Sequence, residues 1–450
     1  MVNLDKYCDK MAANIPAENS IESSLYTKYD VKRGLRNSNG TGVLVGLTNI
    51  GDVIGYEKGP NGEKIPTEGK LYYRGYSVED LVKSCIDENR FGFEEITYLL
   101  IFGELPTKTQ LDEFKAVLGS MRELPGRFAR EMIMRKPSPN IMNMLERSVL
   151  ALYPYDENAD DTSIDNLIKQ SIELIGYFPA LIAYSFQSKS MEFDNKSLHI
   201  HFPVADLSTS ENILRMLRPT GEYTDTEAKL LDICLMLHAE HGGGNNSCFT
   251  THLVSSTGTD TYSAVAAALA SLKGPKHGGA NIQVINMIRD CKKEVGDITD
   301  YKKVDAYLKR VLKGEANDGS GLIYGIGHAI YTLSDPRAVV LKNMAGKLAK
   351  EKGQEEYFGL CQHIEEVGSK LYEEVTGKQM LMPANVDLYS GFVYGALNIP
   401  EDVATPLFAM ARLSGWCAHR IEELVSAPKL MRPAYESVHE FMEYIPLDKR

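Results

Sequence analysis

The stretch TDTEAKLLDICLMLHAEHGGG, residues 224–244, decides the fold class. Thr224 is followed by Glu227, the reciprocal pairing of a capping box, and Ala228, Leu231, Leu235 and His238 then recur at the spacing of one helical face. Gly242, Gly243 and Gly244 end the run. The pattern predicts an amphipathic helix that carries His238 and His241 on one face to a glycine-flanked terminus.

Outward from this helix, the same period governs most of the chain. FEEITYLLIFGELP (93–106) puts Ile96, Leu99 and Leu100 on one side and closes at Gly103 and Pro106. Residues 141–187 supply two more helices around the acidic loop YDENADD (155–161), whose charges read as solvated. YSAVAAALASL (262–272) is rich in alanine and serine, which suits close helix packing, and Gly274 with Pro275 stops it. Thr405 and Pro406 read as the N-cap and first residue of a helix that carries Arg412, Trp416 and His419 toward Glu423. Short β-branched runs alternating with turn residues occur only in VLVGLTNIGDVIGYE (43–57), which predicts a small hairpin. The expected fold class is therefore mainly α, with minor β near the N-terminus. A more charged region after residue 282 suggests a separate smaller unit.

A chain of 450 residues exceeds one ordinary core, so two domains are the default, and 43% hydrophobic with 24% charged residues is a globular composition. The 49 basic and 61 acidic residues give a net charge of −12 without long like-charged blocks. That argues against nucleic acid or an acidic membrane as the main partner, and an anionic substrate must find local arginines. MVNLDKYCDK (1–10) has neither a basic amphipathic helix nor an apolar signal core, and no window approaches a membrane-spanning length without charge, so a cytoplasmic location is expected. Seven scattered cysteines without a CxxC pair read as reduced and structural.

Three histidines stand beside glycines: His241 before the triplet, His277 within GPKHGG (274–279) and His328 ending GIGH (325–328). Asp387 ends the compact segment PANVD (383–387). Together they suggest an acid/base site. His238 and His241 have a spacing that can hold a metal, but HExxH and a nearby third ligand are absent, so metal binding is the weaker reading. On spacing alone, His241 reads as a helix-end histidine satisfied by carbonyls; the functional alternative is a donor to an anionic ligand. His277 precedes the periodic run Ile282, Ile285, Ile288, so it sits by a helix N-terminus whose dipole, with Lys276, favours a neutral ring able to polarise a carbonyl. A turn-capping histidine is the competing reading.

GLIYGIGHAIYTLSDPR (321–337) lacks the endings of a P-loop and of a dinucleotide fingerprint. Its glycines, His328 and Arg337 fit either a ligand loop with an arginine fork for a carboxylate or a plain connector. Asp387 reads as a cap for the helix over 386–397 or as a base; a helix terminus lowers its pKa and burial raises it. Arg412 and Arg432, each taken alone, read as surface residues.

The strings LHAEHGGGNNS (237–247), GPKHGGAN (274–281), GIGHAIYTLSDPR (325–337), PANVDLYSG (383–391), ARLSGWCAHRIEE (411–423) and MRP (431–433), in this order, resemble the citrate synthase family. YYRGY (72–76) and FEEITYLLIFGELP extend the likeness. The resemblance implies a two-domain helical fold, with a large domain over 1–284 and 384–450 and a smaller one inserted at 285–383, closing over its substrates as a homodimer. It implies an acyltransferase that condenses acetyl-CoA with oxaloacetate and water to give citrate and CoA. His277 would then donate to the thioester carbonyl, Asp387 would remove a methyl proton and His328 would polarise the ketone. His241, Arg337 and Arg412 would hold the carboxylates, Arg432 would reach the partner's site, and Gly325 and Gly327 would line a CoA loop. Acetyl-CoA is a co-substrate; no permanently bound cofactor and no metal are implied. Departures from the family pattern are Glu240, Gly242, Lys276, Ile282, Ala384 and Glu423. A methylene in a pocket is worth only about 1–3 kcal/mol, so a 2-methylcitrate synthase using propionyl-CoA is the alternative. A non-catalytic helical binding protein and a histidine-ligated metal hydrolase are the readings from other classes.

Overall fold

A computed structural model describes residues 4–12, 19–60, 63–426 and 429–450. Two compact units result, Met1–Leu47 and Thr48–Arg450. The first holds the short helices α1 (Leu4–Ala12) and α2 (Ser23–Lys28) and an isolated bridge between Arg36 and Gly42.

The second unit is built from helices, which run α3 (Val78–Asp87), α4 (Phe93–Phe102), α5 (Lys108–Ser120), α6 (Ile141–Leu152), α7 (Ile164–Asp194) and α8 (Thr209–Leu217). They continue as α9 (Asp225–His238), α10 (Asn246–Ser255), α11 (Thr261–Lys273), α12 (Ala280–Val295) and α13 (Tyr301–Leu312). The last are α14 (Pro336–Lys352), α15 (Glu355–Thr376), α16 (Val386–Ala396) and α17 (Ala404–Val425). The expected mainly α class holds.

The capping box at Thr224 and Glu227 is formed with both of its hydrogen bonds, so α9 starts where the sequence says. It ends three residues earlier than expected, at His238, and His241 stands beyond the helix rather than on its face. Where the chain leaves the helix, the single hydroxyl proton of Tyr73 is shared among the carbonyls of Met236, Leu237 and Glu240, which lie 3.0, 3.3 and 3.1 Å from Tyr73 Oη, and this helps to satisfy the carbonyls of the helix end.

α17 is the axis of the core. From Ala404 to Arg420 all of its residues except Phe408 are buried, and it packs against α4, α7, α9, α10 and α11. Its start differs from expectation. A 3-10 turn over Glu401–Val403 leads into the helix and Val403 takes the cap position, so Thr405 is not the N-cap and Pro406 not the first residue. The Thr405 hydroxyl instead donates to the Gly278 carbonyl at 3.1 Å, tying the turn that holds His277 to the central helix.

Among the described residues the strands form one antiparallel sheet of β1 (Gly51–Lys58), β2 (Lys64–Tyr73) and β3 (Tyr76–Ser77) in that order. The hairpin expected within 43–57 is corrected: only its second half is a strand, and the partner is β2. Leu44 and Leu47 are 84% and 90% exposed, so no apolar face organises that end. The sheet braces the loop after His328. A Cβ on Gly55 would lie 2.3 Å from the Ile330 carbonyl oxygen, and Ser334 Oγ accepts from Gly69 N at 3.2 Å. All seven cysteines are free, six of them buried, and among the described residues no helix is long and apolar enough to cross a membrane.

Candidate active site

His277 occupies the turn before α12, as the sequence expects, and its ring also meets a second helix. Its Nε2 accepts from the backbone N–H of Ser247 at 3.3 Å, in the first turn of α10, and lies 3.0 Å from Ser247 Oγ. A backbone N–H only donates, so the ring proton sits on Nδ1. Trp416 Nε1 donates to the same Ser247 Oγ at 3.1 Å, fixing that anchor from the central helix. Burial, aided by the Arg412 charge, pushes the His277 pKa down to about 4, so the ring is a neutral Nδ1–H donor.

His328 reaches the complementary state by another route. Its Nδ1 accepts from the backbone N–H groups of Ile330 and Tyr331, both at 3.1 Å, which leaves the proton on Nε2. Burial holds its pKa at about 4, with Asp335 opposing and Arg337 assisting. The His328 ring stacks on Tyr331 at 4.5 Å between centroids, and His241 stands edge-on to it at 5.2 Å. His241 is also held well below its ordinary pKa, first by burial and then by Arg337.

Around these rings, buried polar atoms lack partners. Arg412 is 1% exposed; its Nε donates to the His238 carbonyl at 2.7 Å, while Nη1 and Nη2 bond to nothing. His241 Nε2 and Tyr331 Oη are likewise buried without a partner. His241 is thus not the helix-end histidine satisfied by carbonyls that its spacing favoured. Arg337 directs Nε and Nη2 onto Asp335 at 3.0 and 2.8 Å, so its fork is partly used inside the protein. Unpaired buried donors each cost on the order of 1–3 kcal/mol, more when charged, and an anion with several acceptor oxygens is the complement.

Asp387 is the second residue of α16. It does not cap that helix: Asn385 does, accepting from Asp387 N at 3.0 Å through its side-chain oxygen. Burial therefore acts against the helix terminus and wins, raising the carboxyl to about 6, with Arg337, Asn281 and Arg412 pulling the other way and Asp335 adding to the rise. The same Asn385 donates from Nδ2 to the Gly327 carbonyl at 2.8 Å, and Gly327 N donates to the Pro383 carbonyl at 2.7 Å. Gly325 has φ of 87° and a Cβ there would meet Leu388 Cβ at 2.9 Å, so glycine is required where the two segments touch. The Arg412 charge acts on His277, His241 and Asp387 alike, so these three groups from three separated segments lie within electrostatic reach of one guanidinium.

Arg432 is exposed in the single chain. Sequence reasoning missed Ser247, Trp416, Tyr331 and Asp335. For Asp335 a signal existed, since an Asp directly before Pro336 is a helix N-cap pattern, and its side chain does accept from Arg337 N. Ser247 and Trp416 carry no local pattern.

The pattern of the family described as "Citrate synthase, C-terminal domain" matches residues 38–434. The citrate synthase of Synechocystis sp. is 34% identical over 386 residues, covering 85% of this chain and 89% of that one. The 2-methylcitrate synthase 2 of Corynebacterium glutamicum is 30% identical over 429 residues, covering 94% and 99%. Among solved structures, citrate synthase from Thermotoga maritima superposes with a TM-score of 0.72 at 31% identity, covering 93% of this chain and 99% of that one. The ternary complex of carboxymethyl coenzyme A and oxaloacetate with the citrate synthase of Thermoplasma acidophilum gives a TM-score of 0.75 at 25% identity, covering 93% and 99%. A likeness that runs through nearly the whole chain, in sequence as in fold, means that the chain belongs to the citrate synthase family of acyltransferases.

Proposed function

We propose that the protein condenses acetyl-CoA with oxaloacetate and water to give citrate and CoA. The carrying observation is the set of buried, unpartnered donors on Arg412, His241 and Tyr331, which fits a small dianion. His277 Nδ1–H donates to the thioester carbonyl while Asp387 takes a methyl proton, and the resulting enol or enolate carbon attacks the ketone, polarised by His328 Nε2–H. Arg412, His241 and Arg337 hold the carboxylates, and water then hydrolyses citryl-CoA. An unactivated thioester methyl is a very weak acid, so a donor and a base must act on it together.

Gly325 and Gly327 would border the CoA approach, and Arg432, being exposed, is available to the site of a second copy in a homodimer. Residues 285–383 form the smaller domain in this reading and close on the larger one. Acetyl-CoA enters as co-substrate, with no permanently bound cofactor or metal in the chemistry, and the enzyme works in the cytoplasm as part of the tricarboxylic acid cycle.

Two measurements test this. Asp387 must be ionised and both histidines neutral. With the carboxyl at about 6 and the rings at about 4, kcat/KM is expected to fall as pH drops through about 6, with a single-proton acid limb. A limb centred at about 4, where the rings protonate, would contradict the assignment of Asp387 as base. Relatives named 2-methylcitrate synthase, at 30% and 31% identity, keep propionyl-CoA as the second reading. CoA release measured with both acyl-CoAs is expected to favour acetyl-CoA in kcat/KM by at least about tenfold, the size of a one-methylene discrimination. A preference for propionyl-CoA reverses the choice.

A further inference from the structure

Behind the oxaloacetate-binding residues, α10 and α17 face each other with side chains that the condensation does not use. Cys248 and His252 are four residues apart on α10, while His419 and Glu422 are three apart on α17, so each pair shares a helical face. Cys248 Sγ and the ring nitrogens of His252 and His419 all lie within 4.8 Å of one another, and the three residues are 1%, 9% and 0% exposed.

The outer ring nitrogens point at carboxylates. His252 Nδ1 is hydrogen-bonded to Glu423 Oε2 at 2.7 Å, and His419 Nε2 lies 3.0 Å from Glu240 Oε1, although at an angle short of a hydrogen bond. A carboxylate holds the proton on the nitrogen it faces, so the inner nitrogens, His252 Nε2 and His419 Nδ1, meet across 3.0 Å. With a proton on one inner nitrogen this contact is a hydrogen bond; with neither protonated, a cation between or beside the two lone pairs takes the proton's place. The separation is close to the spacing of about 3.3 Å between two nitrogens on one tetrahedral zinc with Zn–N bonds of about 2.0 Å. A fourth atom is at hand. Glu422 Oε2 lies 3.7 Å from His419 Nδ1, its side chain is 10% exposed, and this oxygen is buried with no hydrogen-bond partner, while its mate Oε1 accepts from Asn49 N at 2.6 Å.

We propose that Cys248, His252, His419 and Glu422 form a structural site for a borderline-soft divalent cation of the zinc class, with Glu423 and Glu240 as the outer carboxylates that orient the two rings. The donor set of one sulfur, two nitrogens and one oxygen suits zinc far better than magnesium or calcium. Charge is consistent: Glu240, Glu422, Glu423 and a Cys248 thiolate are balanced by Arg74, Arg412 and one dication. A proton shared between the rings balances the charge equally well with a neutral thiol, and Glu422 Oε2 then faces the charged His419 ring at 3.7 Å without a hydrogen bond. On metal binding the Cys248 S–H bond breaks, a metal–sulfur bond forms, and the thiol proton leaves to solvent together with the proton shared by the rings. The clamp joins the helix that carries Ser247, the anchor of His277, to the helix that carries Arg412.

The test uses the full-length protein, reduced and stripped with a chelator, then titrated with Co2+ alone. One equivalent per chain is expected, with the visible absorption of a tetrahedral centre and a thiolate-to-cobalt charge-transfer band, both abolished by added Zn2+. Cys248→Ser should remove the charge-transfer band, and the milder Glu423→Gln should weaken affinity by about 10–100-fold while keeping the band. Absence of a tetrahedral spectrum in the unaltered protein overturns the proposal in favour of the shared proton. Persistence of the charge-transfer band in Cys248→Ser overturns it in favour of another thiol, such as the exposed Cys8. Turnover is not read in any arm, so failure here leaves the condensation reading standing.

Discussion

Asp387→Asn is expected to lower kcat for condensation by about 10²–10⁴-fold, the usual worth of a positioned general base, while oxaloacetate affinity changes by less than about threefold. The amide is nearly isosteric, and the backbone N–H at this position still donates to Asn385, so α16 keeps its start. What disappears is a carboxylate that burial holds at about 6, basic enough to take a proton at neutral pH and still ionised there. Its negative charge sits within reach of Arg337 and Arg412, where it competes with a substrate anion for the same guanidiniums. Removing it should tighten oxaloacetate binding slightly if it moves it at all. Turnover together with calorimetric titration of oxaloacetate separates the two effects, and equal losses in both would refute the division of roles.

Arg412→Gln should do the converse. The guanidinium is buried with both terminal nitrogens unpaired, so ligand oxygens are the partners it lacks. Loss of one member of a buried charge-assisted pair costs about 2–5 kcal/mol, roughly thirtyfold to several thousandfold in Kd. Oxaloacetate binding by calorimetry should weaken by that amount, while the KM for acetyl-CoA changes far less. A loss in oxaloacetate affinity below about threefold would mean that Arg412 serves the fold instead.

The helical class was readable because its signals are local. Thr224 and Glu227 announce a helix start with two side chains, and the observed hydrogen bonds are those the spacing requires. The features that escaped are those settled by contacts between distant segments. β2 reads KIPTEGKLYY, where a proline, a glycine and two lysines hide a strand whose evidence is its pairing with β1. Thr405 has the chemistry of a cap, but the turn at Glu401–Val403 supplies helical backbone earlier and frees the hydroxyl for Gly278. Asp387 and Asn385 are both good caps two residues apart, and the choice between them is made by the Gly327 carbonyl, which occupies the Asn385 amide. The histidines were legible as candidates from their glycines; their tautomers were not, because Ser247, Ile330 and Tyr331 fix them through backbone N–H groups.

The Asn385 side chain has a mechanical consequence. One amide grips the residue before His328 with its nitrogen and Asp387 with its oxygen, so the proposed ketone-polarising ring and the proposed base are yoked. Any motion that shifts one drags the other with it. Evolution can slide this pair toward or away from the Arg412 side, but it cannot adjust the spacing within the pair without first breaking the yoke.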